Sequence, residues 1–128
     1  MKFTNGYWLM RDGVDALFAR DAYELHPDPA QETISVLAPT RPIAERANTL
    51  NQPAFHVELS TPIEGVIRVR ATHWRGGPQG IGFPIAQDEP GGRDYVHITT
   101  HGDGDGETGE RGATAALSSG GLTATVVK

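Results

Sequence analysis

Residues 55–60 read Phe-His-Val-Glu-Leu-Ser and lie between Pro53 and Pro62. Apolar and polar side chains alternate through this stretch, and a period of two residues is typical of a β-strand with one buried face. The flanking prolines predict that the strand ends on both sides, because proline lacks the backbone N–H that a sheet ladder needs. The stretch therefore predicts a half-buried strand.

The same alternation appears on both sides of this strand. Thr33–Ala38 predicts a strand that closes before Pro39. Glu64-Gly65 predicts a turn, and the strand expected from Val66 to Trp74 has two unlike faces. Ile67, Val69, Ala71 and His73 lie on its apolar face, and Arg68, Arg70, Thr72 and Trp74 lie on a basic face that ends in an aromatic ring.

Turn signals place further strands along the chain. Asp94–Thr100 predicts one strand, and two more form a hairpin across Ser118–Gly121, from Ala113 to Leu117 and from Leu122 to Val127. Asp12-Gly13 favours another hairpin near the start, because this pair tolerates positive φ. Between Val14 and Leu25 the apolar spacing fits both periods; we expect strands, with a helix as the competing interpretation.

Length and composition indicate one β-rich domain over residues 1–128. The chain has 128 residues, 38% of them hydrophobic, with 16 glycines and 9 prolines. That proportion of structure breakers favours many short strands joined by turns. The formal net charge of −5 disfavours nucleic acid and membrane partners, and the absence of cysteine excludes disulfides and thiolate sites. Without an apparent signal peptide or membrane span, a soluble, cytoplasmic protein is expected.

The sequence specifies no catalytic constellation, metal site or cofactor. Gly76–Gly82 lacks both phosphate-loop patterns, and no pair of carboxylates is placed for glycoside hydrolysis. The Gly-rich acidic stretch Gly102–Gly112 is expected to be a solvated loop; a metal site formed by this stretch with His97 and His101 is the weaker hypothesis. Trp8 and Trp74 are either core residues or rings on which a sugar stacks.

Several passages together resemble the start of the bacterial α-xylosidases of glycoside hydrolase family 31. The resemblance spans nearly the whole chain, and its specificity comes from the order and spacing of the pieces. They are Met1–Leu9, Arg46–Pro53, Ser60–Arg70, His73-Trp74, Phe83–Ile85 and Ser119–Lys128. The stretch Gly102–Gly112 departs from the family's pattern.

The resemblance implies a fold and a role. The fold is an all-β antiparallel sandwich similar to galactose mutarotase, packed against a (β/α)8 barrel that holds both catalytic aspartates. This chain is then a noncatalytic amino-terminal domain of a retaining glycosidase for α-xylosides or α-glucosides. Contacts with the substrate or with the barrel are expected at Trp8, Arg68, Arg70, His73, Trp74 and Phe83, with a loop between His73 and Phe83 directed toward the active-site mouth.

The region is shorter than a full sandwich of that family, so we expect exposed sheet edges. An unpaired strand at Leu122–Val127 would template pairing with another chain, which predicts dimerisation or swapping. The alternative to a glycosidase domain is an autonomous carbohydrate-binding or structural β-sandwich.

Overall fold

The computed structural model describes residues 3–4, 7–8, 13, 16–73, 89–102 and 113–128. Nine strands lie in this part of the chain, together with one 3₁₀ helix at Arg46–Thr49. The strands are β1 (Phe3–Thr4), β2 (Tyr7–Trp8), β3 (Glu24–Asp28), β4 (Thr33–Pro39), β5 (Ala54–Ser60), β6 (Arg68–Thr72), β7 (Val96–His101), β8 (Thr114–Ser119) and β9 (Leu122–Val127).

The strands form two larger antiparallel sheets and one short strand pair. One sheet has the order β3-β4-β5-β6, the other has the order β7-β8-β9, and β1 pairs with β2. The central strands β4 and β8 contact each other across the two larger sheets. The prediction of an all-β antiparallel sandwich is therefore confirmed.

The core lies between the two larger sheets. Alternation along β4 buries Ile34 and Val36 against Leu117 of β8, while Ser35 is exposed on the opposite side. Ile34 and Leu117 are fully buried, and the cluster is completed by Leu59, Val96 and Ala115. The period of two residues thus marked the buried face of β4 correctly.

The strand predicted at residues 55–60 and the carboxy-terminal hairpin are both present. Register pairs Ser119 with Leu122, so the two-residue turn is Gly120–Gly121. Gly120 has a φ of +57°, the positive value that a type II′ turn requires at its first central position. The strand predicted from Asp94 is also present, beginning at Val96.

The strands expected between Val14 and Leu25 are wrong for the described residues 16–23, which form neither strand nor helix. Only isolated bonds tie this segment to the end of β4, from Arg20 N to the Pro39 oxygen and from Tyr23 N to the Leu37 oxygen, each 2.9 Å long. Phe18 is 67% exposed, so no buried face selects either period.

The start of the chain holds a short strand pair in addition to the turn that was predicted at Asp12-Gly13. Phe3 pairs with Trp8 and Thr4 pairs with Tyr7, so the two strands flank residues 5–6. The expected turn at Asp12-Gly13 does not connect them. Gly13 has a φ of +79°, which agrees with a turn at that glycine, and the strands of a hairpin across it would fall largely outside the described residues.

A tight turn joins β3 to β4 and sets the position of Glu32. The Asp28 carboxylate accepts hydrogen bonds from the backbone N–H groups of Ala30 and Gln31, both at 3.0 Å, in the manner of an Asx turn. Glu32 follows with a φ of +53°, an uncommon value for a residue with a side chain. Its side chain is buried, at 5% exposure.

Candidate functional site

Strand β6 carries the two arginines that were expected at a site. Register places Arg70 opposite Glu58 and Arg68 opposite Ser60 on β5. The Arg68 Nε donates a hydrogen bond to Ser60 Oγ at 3.1 Å. The two arginines are two residues apart on one strand, so they share the face of the sheet that points away from the core.

His73 lies just after β6 and takes a different position from the arginines. Its ring packs on Phe55 at a centroid distance of 5.5 Å and an interplanar angle of 43°. Phe55 alternates with His56 and Glu58 on β5, so it lies on the core-side face. The structure therefore places His73 on the side of the sheet opposite Arg68 and Arg70.

The remaining expected site residues are aromatic. The backbone of Trp8 lies in β2, opposite Phe3. Trp74 and Phe83 fall outside the described residues, as does the loop expected between His73 and Phe83. Stacking of a sugar on either tryptophan therefore stays a prediction.

The apolar side of β6 is more exposed than its sequence pattern indicates. Val69 pairs with Leu59 on the core-side face, yet Val69 is 63% exposed and Leu59 only 6%. Val66, just before the strand, is 39% exposed. The core-side face of the four-stranded sheet thus continues into an apolar strip that leaves Val69 open to solvent.

A second cluster, which we call the Glu32–Arg93 clip, joins segments far apart in sequence. The Arg93 side chain donates from Nε to Glu32 Oε2 and from Nη1 to the Thr61 carbonyl oxygen, the latter at 2.6 Å. The Arg93 backbone N–H donates to Glu32 Oε1 at 2.9 Å. The guanidinium also lies 5.6 Å from the centroid of the Tyr95 ring.

The clip keeps Glu32 ionised. Burial disfavours the charged carboxylate and alone would raise its pKa. Hydrogen bonds from the Arg93 and Gly91 backbone N–H groups and from the Arg93 side chain, with the attraction of the guanidinium, hold the pKa of Glu32 below its usual value. Both oxygens of the Glu32 carboxylate accept hydrogen bonds from Arg93, which makes the group poorly suited to proton transfer. The clip is therefore a structural element.

Sequence reasoning missed the clip altogether. Glu32 and Arg93 are separated by 61 residues, and each lies next to a loop. Neither the residue types nor their spacing indicate a pair. The proline and glycine residues around them predict turns, but turns do not reveal which charges become buried.

Within residues 16–73, 89–102 and 113–128, no three histidine, aspartate or glutamate side chains are placed to hold a metal ion. His97 and His101 both belong to β7, where a rise of roughly 3.4 Å per residue puts their backbones about 14 Å apart. That separation is too large for two ligands of one ion. Most of the acidic stretch, including Asp103 and Asp105, falls outside the described residues.

The described part of the chain holds no helix with the length and hydrophobicity needed to cross a bilayer.

Comparisons with known proteins point to one class of enzyme. No protein-family model matches the chain. It is 34% identical over 90 residues to the α-xylosidase XylQ of Lactiplantibacillus pentosus, which is 70% of this chain and 12% of that protein. It is also 34% identical over 77 residues to an α-xylosidase of Emericella nidulans, 60% of this chain and 10% of that protein.

The chain thus spans about a tenth of the length of these curated relatives. Both matches cover well over half of this chain but only a small part of the relative. The chain therefore fits a fragment from the amino-terminal region of an α-xylosidase.

Proposed function

We propose that this chain is a noncatalytic amino-terminal β-sandwich of a family 31 glycosidase. Hydrolysis of α-linked xylosides or glucosides would belong to the catalytic barrel of the same polypeptide, in the cytoplasm. The observation that carries this proposal is the similarity to two α-xylosidases over only 12% and 10% of their lengths. The sandwich would be of the galactose-mutarotase type.

The surface offered to the barrel would include the exposed apolar strip of β6. Val69 is 63% exposed on a face whose neighbour Leu59 is buried, and single-domain proteins seldom leave the continuation of a core open. Phe55 and His73 form a ring pair at the far end of the same strip. Trp74 and the loop up to Phe83 would extend this surface toward the mouth of the active site.

We expect the purified 128-residue chain to show no hydrolysis of aryl α-xylosides. The reason is that the two aspartates of the proposed mechanism belong to the barrel. Release of the aryl group measured by absorbance tests this expectation, with the L. pentosus α-xylosidase as the positive control for the assay. Turnover that follows the chain through every purification step would overturn the proposal.

Reading the gene beyond the codon for Lys128 separates this proposal from the alternative. A downstream barrel that carries two catalytic aspartates supports a glycosidase domain. A stop codon at that point would instead support an autonomous carbohydrate-binding or structural module. Isothermal titration with xylose would then distinguish those two roles.

A further inference from the structure

The strands at the edges of the two larger sheets differ in their protection against pairing with another chain. Strand β3 contains Pro27 and charged residues, β6 contains Arg68 and Arg70, and β7 contains two histidines. Strand β9 reads Leu-Thr-Ala-Thr-Val-Val, with neither charge nor proline. Charges and proline are the usual means by which an edge avoids a partner, so among the edge strands of the two larger sheets in the described residues β9 is the one that carries neither.

The free backbone groups of β9 are identified by its register. The Lys128 N–H donates to the Ala113 oxygen at 2.9 Å, and the pairing of β8 with β9 continues that register. Residues of an antiparallel strand direct their N–H and C=O groups alternately to either side. The even-numbered residues of β9 therefore hydrogen-bond to β8 through their backbones. Thr123, Thr125 and Val127 direct their backbone N–H and C=O groups away from β8, toward the free side of the strand.

We propose that β9 docks against β9 of a second copy of this chain, antiparallel, on a two-fold axis through Thr125. In this register Thr125 faces Thr125 of the second copy, and Thr123 faces Val127 of the second copy. Each of these pairs exchanges two backbone hydrogen bonds, because their groups already point outward. The two three-stranded sheets then become one continuous sheet, closed by the symmetry.

The side chains are compatible with this register. Ala124 and Val126 pack on the core. In the dimer, Ala124 of one copy lies opposite Val126 of the other, so the apolar side chains stay on one face of the joined sheet. Thr123 and Thr125 lie on the opposite face, where threonine pairs across strands are favourable. Leu122 and Val127, which are 48% and 65% exposed in one copy, would both lose solvent contact.

Charge complementarity supports a second copy as the occupant. The Glu64 side chain lies beside the β8–β9 turn, with Oε1 3.7 Å from the position of a Cβ on Gly120. In the proposed register Lys128 lies opposite Leu122 of the second copy, next to the β8–β9 turn of that copy. In the single chain, the Lys128 Nζ lies 5.8 Å from the centroid of the Tyr23 ring, on the same side of the sheet. Each lysine would therefore approach a glutamate of the other copy.

Sedimentation velocity of the purified chain over a wide range of concentrations tests the proposal. We expect a reversible dimer for the wild type and a monomer for Thr125→Pro, because proline removes an outward N–H at the axis without breaking a bond to β8. Thr100→Pro is the matched control, since by the register Thr100 directs its N–H outward from the opposite edge, on β7. A wild type that stays monomeric, or a dimeric Thr125→Pro variant, would overturn the proposal.

A second pair of variants tests the register and avoids proline. Thr125→Lys sets two ammonium groups opposite each other, so the dimer is expected to weaken by about tenfold or more. Mixing this variant with Thr125→Glu should restore association as a heterodimer. Failure of the mixture to associate, with each variant folded by circular dichroism, contradicts an axis at Thr125.

Discussion

Replacing Arg93 with alanine is expected to lower the free energy of unfolding by about 3 to 5 kcal/mol, the usual cost of removing one partner from a buried ion pair. The variant leaves the Glu32 carboxylate, 5% exposed, without its countercharge. It also removes the donor to the Thr61 oxygen. Urea unfolding followed by circular dichroism measures the difference.

Arg41→Ala is the matched control for this variant. Arg41 also makes two side-chain hydrogen bonds, to Gln52 Oε1 at 2.7 Å and to the Leu50 oxygen at 3.1 Å, but it is exposed. Its loss is expected to cost about 1 kcal/mol or less, because water replaces the lost partners. Equal costs for the two arginines would show that burial of the Glu32–Arg93 clip contributes nothing.

The clip also predicts how stability depends on pH. The pKa of Glu32 is lower in the folded protein than its ordinary value of 4.5, so ionised Glu32 stabilises the fold at pH values above 4.5. That contribution is lost as the pH falls from 4.5 through the folded-state pKa. The stability difference between the wild type and Glu32→Gln is therefore expected to shrink below pH 4.5, and a difference independent of pH there would contradict it.

Replacing Leu117 with alanine is expected to cost about 2 to 5 kcal/mol, since the side chain is fully buried in the central strand of its sheet. The neighbours Ile34 and Val36 belong to the opposite sheet, so collapse of the resulting cavity would require the two sheets to move together. Thermal and urea unfolding measure the loss.

Leu50→Ala is the control for the core variant, because Leu50 is 66% exposed in the loop after the 3₁₀ helix. A change within about 0.5 kcal/mol is expected at such a surface position. If Leu117→Ala were equally mild, Leu117 would not pack between two sheets, and the sandwich arrangement described above would be wrong.

The strands that sequence predicted correctly share a clear local signal. Ile34–Val36 and Phe55–Ser60 alternate between apolar and polar side chains, and the pair Gly120–Gly121 marks the final turn. The segment at residues 16–23 lacked such a signal, because Leu17 and Phe18 face solvent and their spacing reflects no buried surface. Strand β3 has only a weak sequence signal, because Pro27 argues against a strand. Proline is tolerated there because β3 lies at the edge of its sheet.

The candidate site was predictable only in part. The alternation from Arg68 to Thr72 correctly separates the arginines from the apolar face of β6. It also places His73 on the other side of the sheet from those arginines, as observed, but it does not reveal that the His73 ring contacts Phe55. Ring contacts of this kind depend on the strand register, and register is set by pairing over the whole sheet.

The sequence by itself determined strands β4, β5 and β6 and which side of each is apolar, because both properties follow from neighbouring residues. Only the tertiary structure decided which apolar residues are covered and which charges meet. Leu59 and Val69 face the same way on adjacent strands, yet the second sheet buries Leu59 and leaves Val69 in solvent. Glu32 and Arg93 pair for the same reason: packing of distant segments brings together groups whose separation along the chain carries no information about their contact.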